Sequence, residues 1–141
     1  MSQHKVVLLL GSNLGKRKNN IENALNLIER TIGKIEKKTD ILESMPIEYD
    51  SCNIFCNIAI IIGTPFSPLQ LLLNIKKIEH KMGRIADSSE TGVYTDRVID
   101  IDIVGYDNLY FKSKKLEIPH GKHISEREFS AKLLSELKKK H

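Results

Sequence analysis

Two aspartates, Asp100 and Asp102, lie two residues apart in the stretch Arg97-Val98-Ile99-Asp100-Ile101-Asp102-Ile103. The alternation of apolar and acidic residues predicts a strand, on which residues two apart share a face with Cα atoms roughly 6–7 Å apart. Both carboxylates then converge on one side while Ile99, Ile101 and Ile103 bury on the other. No Lys or Arg stands between them, so the pair repels itself unless a cation neutralises it. Hard oxygen ligands of this kind suit Mg²⁺, and two such ions can share a phosphoryl-transfer site. The same pattern also describes an ordinary amphipathic strand with its acidic face in water, and spacing alone leaves both readings open.

Three further groups bear on chemistry. Gly11-Ser12-Asn13-Leu14-Gly15-Lys16-Arg17 is a near miss for a phosphate-cradling P-loop. Its glycines stand one residue too close, and Arg17 occupies the position where Ser or Thr would hold Mg²⁺. It therefore reads as a tight turn from strand to helix. Asn57 interrupts an apolar strand, where an unsatisfied amide costs roughly 1–3 kcal/mol. It either bonds a neighbouring backbone or reads the donor and acceptor edge of a heterocycle. Pro119-His120 and Arg127-Glu128-Phe129 add a cation and an aromatic, which a solvated helix would equally carry. Cys52, Cys56, His120 and His123 are too loosely spaced for a zinc site.

The elements that must position these residues follow from periodicity. Lys5 to Leu10 is an apolar run ending at Gly11, predicting a central strand buried on both faces. Ile21, Leu25, Ile28 and Ile32 recur at helical spacing, with Gly33 in the place of a helix-ending glycine. A strand from Ile35 to about Glu43, an irregular stretch over 44–53 and a strand from Phe55 to Ile62 come next. Ser67 and Pro68 predict an N-cap and a first helical position. They lead a second helix carrying Leu71, Ile75, Ile78 and Met82, with Gly83 as its stop. The polar stretch 85–96 reads as a long loop and Val98 to Val104 as a strand. A turn at Tyr106-Asp107-Asn108, two short strands near 109–111 and 116–118, and a final helix over 126–139 complete the chain. Two β-α-β units with matched helices predict an α+β fold, a ferredoxin-like βαββαβ sandwich with long active-site loops and a short C-terminal helix.

Composition bounds the answer. At 141 residues the expectation is one domain over 1–141, and 40% hydrophobic with 28% charged residues is a globular balance. The longest apolar runs are five residues, against the roughly 20 that cross a bilayer, so no membrane partner is expected. Two cysteines make no disulfide framework, which points to a cytoplasmic protein. The net charge of +4 suits a polyanion such as RNA or a nucleotide triphosphate. An RNA-binding sheet would interleave exposed aromatics with basic residues. The central strands instead read V-V-L-L-L and I-A-I-I-I, and no nucleic-acid partner is expected. Only five of the 22 cations are arginine, namely Arg17, Arg30, Arg84, Arg97 and Arg127, as if the guanidinium fork were kept for special places.

Taken in order, G-S-N-L-G after the first strand, F-C-N-I-A around Asn57, I-E-H-K-M-G-R ending at Arg84, R-V-I-D-I-D and I-P-H resemble the 6-hydroxymethyl-7,8-dihydropterin pyrophosphokinases of folate biosynthesis. The resemblance runs from about Val6 to Phe129. It implies transfer of pyrophosphate from ATP to the pterin hydroxymethyl group, with release of AMP. It further implies two Mg²⁺ held by Asp100 and Asp102, and Arg84 and Arg97 closing over the phosphates from the two ends of the 85–96 loop. The pterin would meet Asn57 and the backbone at Ser44 and Ile47, between the rings of Phe55 and Phe129. Glu79, Ile103, His120 and Arg127 would lie on the ATP side. A monomer is implied, with dihydropteroate synthase as the partner it would associate with. The chain departs from the family pattern at Ala86, where a second arginine is usual, at Phe55, where Tyr is common, and in having no Trp in the loop.

Overall fold

The computed structural model describes residues 3–44, 54–83, 98–108, 111–112, 117–118 and 128–139. Its elements in chain order are β1 (His4–Ser12), α1 (Arg17–Thr31), β2 (Lys34–Lys38), β3 (Leu42–Ser44), β4 (Phe55–Thr64), α2 (Pro68–Lys81), β5 (Asp100–Tyr106), β6 (Phe111–Lys112), β7 (Glu117–Ile118) and α3 (Glu128–Lys139). The main sheet runs β2-β4-β1-β5, with β3 also paired to β4, and every pairing is antiparallel. Counting β2 and β3 as one interrupted strand gives the predicted ferredoxin-like order. Strands β6 and β7 pair separately.

The two faces are covered differently. Val6, Leu8 and Leu10 of β1 and Ile58, Ile60 and Ile62 of β4 bury with Ile21, Leu25 and Ile28 of α1 and Leu71, Ile75 and Ile78 of α2. The residues between them on β1 and β4, Leu9 and Ala59, pack with Leu133 and Leu137 of α3 on the opposite face. Both sides of β1 are thus buried, as a strand with an unbroken apolar sequence requires.

Ser67 caps α2 as its sequence predicts: its side chain accepts from the Gln70 amide, and the Gln70 side chain accepts from the Ser67 amide. Three local expectations are revised. The single strand expected over 35–43 is broken at Thr39, which is buried and hooks β4 twice. Its amide donates to the Ala59 carbonyl, and its hydroxyl accepts from the Ala59 amide at 3.1 Å. β5 begins at Asp100 rather than Val98. Gly33 follows α1 as expected but for another reason. A Cβ there would lie 2.0 Å from the Gly63 carbonyl oxygen, so close backbone approach, not a left-handed turn, excludes a side chain.

Candidate active site

The sheet register assembles the site. Across β4, β1 and β5, Asn57 lies opposite Gly11 and Gly11 opposite Asp100. The next row is Ala59, Leu9 and Asp102. Cross-strand partners share a face, so Asn57, Asp100 and Asp102 all lie on the α3 side of the sheet. Phe55, two residues before Asn57, shares that face, with Ser44 of β3 as its backbone partner. Leu133 and Leu137 cover the Leu9–Ala59 region, and the Gly11 row lies one step beyond that cluster. Both aspartates are partly exposed while Asn57 is buried.

Asn57 is oriented from two sides. Its amide nitrogen reaches the Leu42 carbonyl at 3.5 Å, and its Oδ1 is turned toward Gly11. The turn behind the site is braced by α1: Asn20 donates to the Ser12 hydroxyl at 3.1 Å and to the Leu14 carbonyl at 2.8 Å. Arg17 donates to the carbonyl of Ile54, the residue before Phe55. The Gly11–Arg17 stretch is thus a tied turn, and Arg17, one of the five arginines, braces it.

Glu79 and Ile103 occupy the other side of the acidic strand. Ile103 buries toward α1 and α2. Glu79, on α2, is fully buried; its Oε2 accepts from the Ile101 amide at 2.7 Å, and its Oε1 lies 3.6 Å from Lys76 Nζ. β5 ends the sheet order, so the Ile101 amide faces an open edge that the Glu79 carboxylate closes. Ile101 stands between the two aspartates, so this bond fixes the backbone that carries both of them. Ile103, two residues on, directs its main chain to the same edge.

The ends of the long loop meet. A Cβ on Gly83, the last described residue after α2, would touch the Val98 side chain at 3.8 Å. Phe129 lies in the first turn of α3, four residues before Leu133. Ile47, Arg84, Arg97, His120 and Arg127 lie outside the described residues, and so does the side chain of Phe129. Among the described residues no cluster of three metal-ligating side chains occurs, and no helix is long and apolar enough to cross a membrane. Asp100 and Asp102, whose positions on β5 share one face, are two described carboxylates that could hold a divalent ion. The sequence did not announce that Gly11 lies between Asn57 and Asp100; a glycine directly after a strongly apolar strand run was the available signal.

Fold and site together define a ferredoxin-like α+β domain with an acidic pair and a buried amide on one sheet face. The pattern of the family described as 7,8-dihydro-6-hydroxymethylpterin-pyrophosphokinase (HPPK) matches residues 7–139, and the chain belongs to that family. It is 35% identical over 117 residues to the 2-amino-4-hydroxy-6-hydroxymethyldihydropteridine pyrophosphokinase of Porphyromonas gingivalis, covering 82% of this chain and 78% of that one. It is 36% identical over 129 residues to the mitochondrial folate synthesis bifunctional protein of Arabidopsis thaliana, covering 91% of this chain and 22% of the relative. The chain thus spans about a fifth of the length of some curated relatives it matches. Among solved structures, a Plasmodium falciparum HPPK-DHPS superposes with a TM-score of 0.69 at 18% identity, covering 93% of this chain and 39% of that one. That likeness bears on the fold alone.

Proposed function

We propose that this protein transfers pyrophosphate from ATP to 6-hydroxymethyl-7,8-dihydropterin, giving AMP and the pterin diphosphate, in folate biosynthesis. The observation that carries the reading is the placement of Asp100, Asp102, Asn57 and Phe55 within adjoining rows of one sheet face. In this reading the buried Asn57 amide reads the pterin edge with the backbone at Ser44 and Ile47, and Phe55 and Phe129 hold the ring. The pterin hydroxyl oxygen then faces the aspartate pair, where it attacks the β-phosphorus of ATP and AMP departs.

Such a transfer needs alignment and neutralised charge more than covalent help. In this reading Asp100 and Asp102 would hold two Mg²⁺, which would supply neutralisation of the triphosphate charge. Arg84 and Arg97 close over the phosphates in this reading; their described neighbours support it, since a Cβ on Gly83 would reach the Val98 side chain at 3.8 Å. The edge of β5 at Ile103 takes the adenine side, with His120 and Arg127. Glu79 acts from beneath, through the Ile101 amide. The protein works in the cytoplasm. Association with dihydropteroate synthase belongs to this reading, and relatives named folate synthesis bifunctional protein support a second folate-synthesis activity beside this one.

The test is AMP release from ATP and Mg²⁺, with and without the reduced pterin. Pterin-dependent AMP without ADP is the expected result. Asp100→Ala and Asp102→Ala should each abolish turnover while remaining folded; unchanged activity in both would overturn the two-metal assignment.

A further inference from the structure

The row Asn57–Gly11–Asp100 has a residue without a side chain at its centre. Neighbouring strands are about 4.7–4.9 Å apart, so the two outer backbones stand roughly 9–10 Å from each other. One end of this span carries an amide and the other a carboxylate. Between them the surface is the β1 backbone, on which Phe55 and Asn57 settle closely. A Cβ on Gly11 would lie 2.9 Å from Asn57 Oδ1 and 3.4 and 3.7 Å from Cδ1 and Cε1 of the Phe55 ring. The first distance is shorter than a carbon–oxygen contact allows, so one added methyl would displace the amide and press on the ring.

From this geometry we infer that Gly11 is a specificity-determining residue: its bare backbone sets the depth at which Phe55 and Asn57 sit, and so admits a planar two-ring heterocycle. The inference rests on the pterin reading of the site and adds to it the reason for the fit. A methyl on Gly11 would meet the side chains of Asn57 and Phe55, which can yield by rotation about χ1 and χ2, whereas β4 itself is held by β1 on one side and by β2 and β3 on the other. An intruding methyl therefore moves the amide and the ring before it moves the strand. The ligand plane rises with the ring, and the heterocycle edge no longer meets the Asn57 amide while its hydroxymethyl arm faces Asp100. The nucleotide side loses nothing directly, since it is approached from the β5 edge.

The test compares the full-length protein with Gly11→Ala by calorimetric titration of two probes, 6-hydroxymethylpterin in the presence of Mg²⁺ and α,β-methylene-ATP, and α,β-methylene-ATP with Mg²⁺ alone. Gly11→Ala should weaken pterin binding about tenfold to a hundredfold, the scale of a small misplacement of binding groups, and leave nucleotide binding within about twofold. Equal pterin binding by both proteins, or an equal loss for both probes, would overturn the inference. A second measurement needs no variant: ¹⁵N-glycine labelling gives signals from eight glycines, and the assigned Gly11 amide should shift when the pterin probe is added. An unmoved Gly11 signal with the pterin bound would overturn the inference even if Gly11→Ala failed to fold. Failure of the unmodified protein to bind the pterin at all would instead overturn the function proposed above.

Discussion

At the scale of single residues, the protein places charge where the backbone has a use for it. Asp107 shows this outside the site. It sits in the left-handed region with φ +49°, which a short polar side chain tolerates because it can bond its own neighbourhood. Its carboxylate accepts from the Lys5 amide at 2.8 Å and lies 2.8 Å from His4 Nδ1. The Lys5 amide first, and His4 second, hold its carboxyl below the ordinary value of 3.8. A depressed value means that the unfolded chain binds the proton more readily, so stability from this group is complete above about pH 3.8 and is lost as pH falls through the lower folded value. Urea denaturation at a series of pH values should show a shallower acid decline for Asp107→Asn than for the wild type. Coincident acid limbs would remove Asp107 from the account. Nearby, burial and then the Asp107 charge raise the Tyr106 hydroxyl, which donates to the Phe66 carbonyl and keeps its proton.

At the scale of elements, the sequence is most legible where an element carries its own terminator. Ser67, Pro68 and Gln70 specify the start of α2 locally, and the capping box forms as their types require. Ser67→Ala should cost about 1 kcal/mol in a urea melt, the usual loss for a deleted cap, and Ser67→Asp should recover most of it. α1 is the contrast. Lys16 precedes it without a side-chain cap, and its first turn carries no acid. Its start is held instead by Asn20 and Arg17 reaching back to Ser12, Leu14 and Ile54, bonds between residues up to 37 positions apart that no local pattern announces. The break between β2 and β3 was hidden for the same reason. Thr39 suits a strand by propensity, and only the presence of Ala59 opposite gives its hydroxyl a better use.

At the scale of the whole molecule, an antiparallel sheet with a helix pair on one face must cover or use the other. α3 covers part of it: Leu133, Leu134 and Leu137 lie with Leu9, Ala59 and Val104. The adjoining row, with Gly11, Asn57 and Asp100, lies outside that cluster and is where the proposed site falls. Leu133 is fully buried, so Leu133→Ala should lower stability by about 2–5 kcal/mol in urea denaturation. A loss below about 0.5 kcal/mol, the scale of surface changes, would mean that α3 does not seal this face.

By itself the sequence determined most of the elements, their order, the pairing of Asp100 with Asp102 on one face, and a set of motifs specific enough to bring the family into view. These are short-range properties: a period of two or 3.6, a cap, a turn, or a run of residue types. Tertiary structure alone decided that Asn57, Gly11 and Asp100 share a row, that Glu79 reaches the strand from beneath, and that Gly33 lies against Gly63. Each of these depends on register between segments far apart in the chain. Register is fixed only when both sheet faces are buried together, since a slip of one residue would turn every side chain to the wrong side.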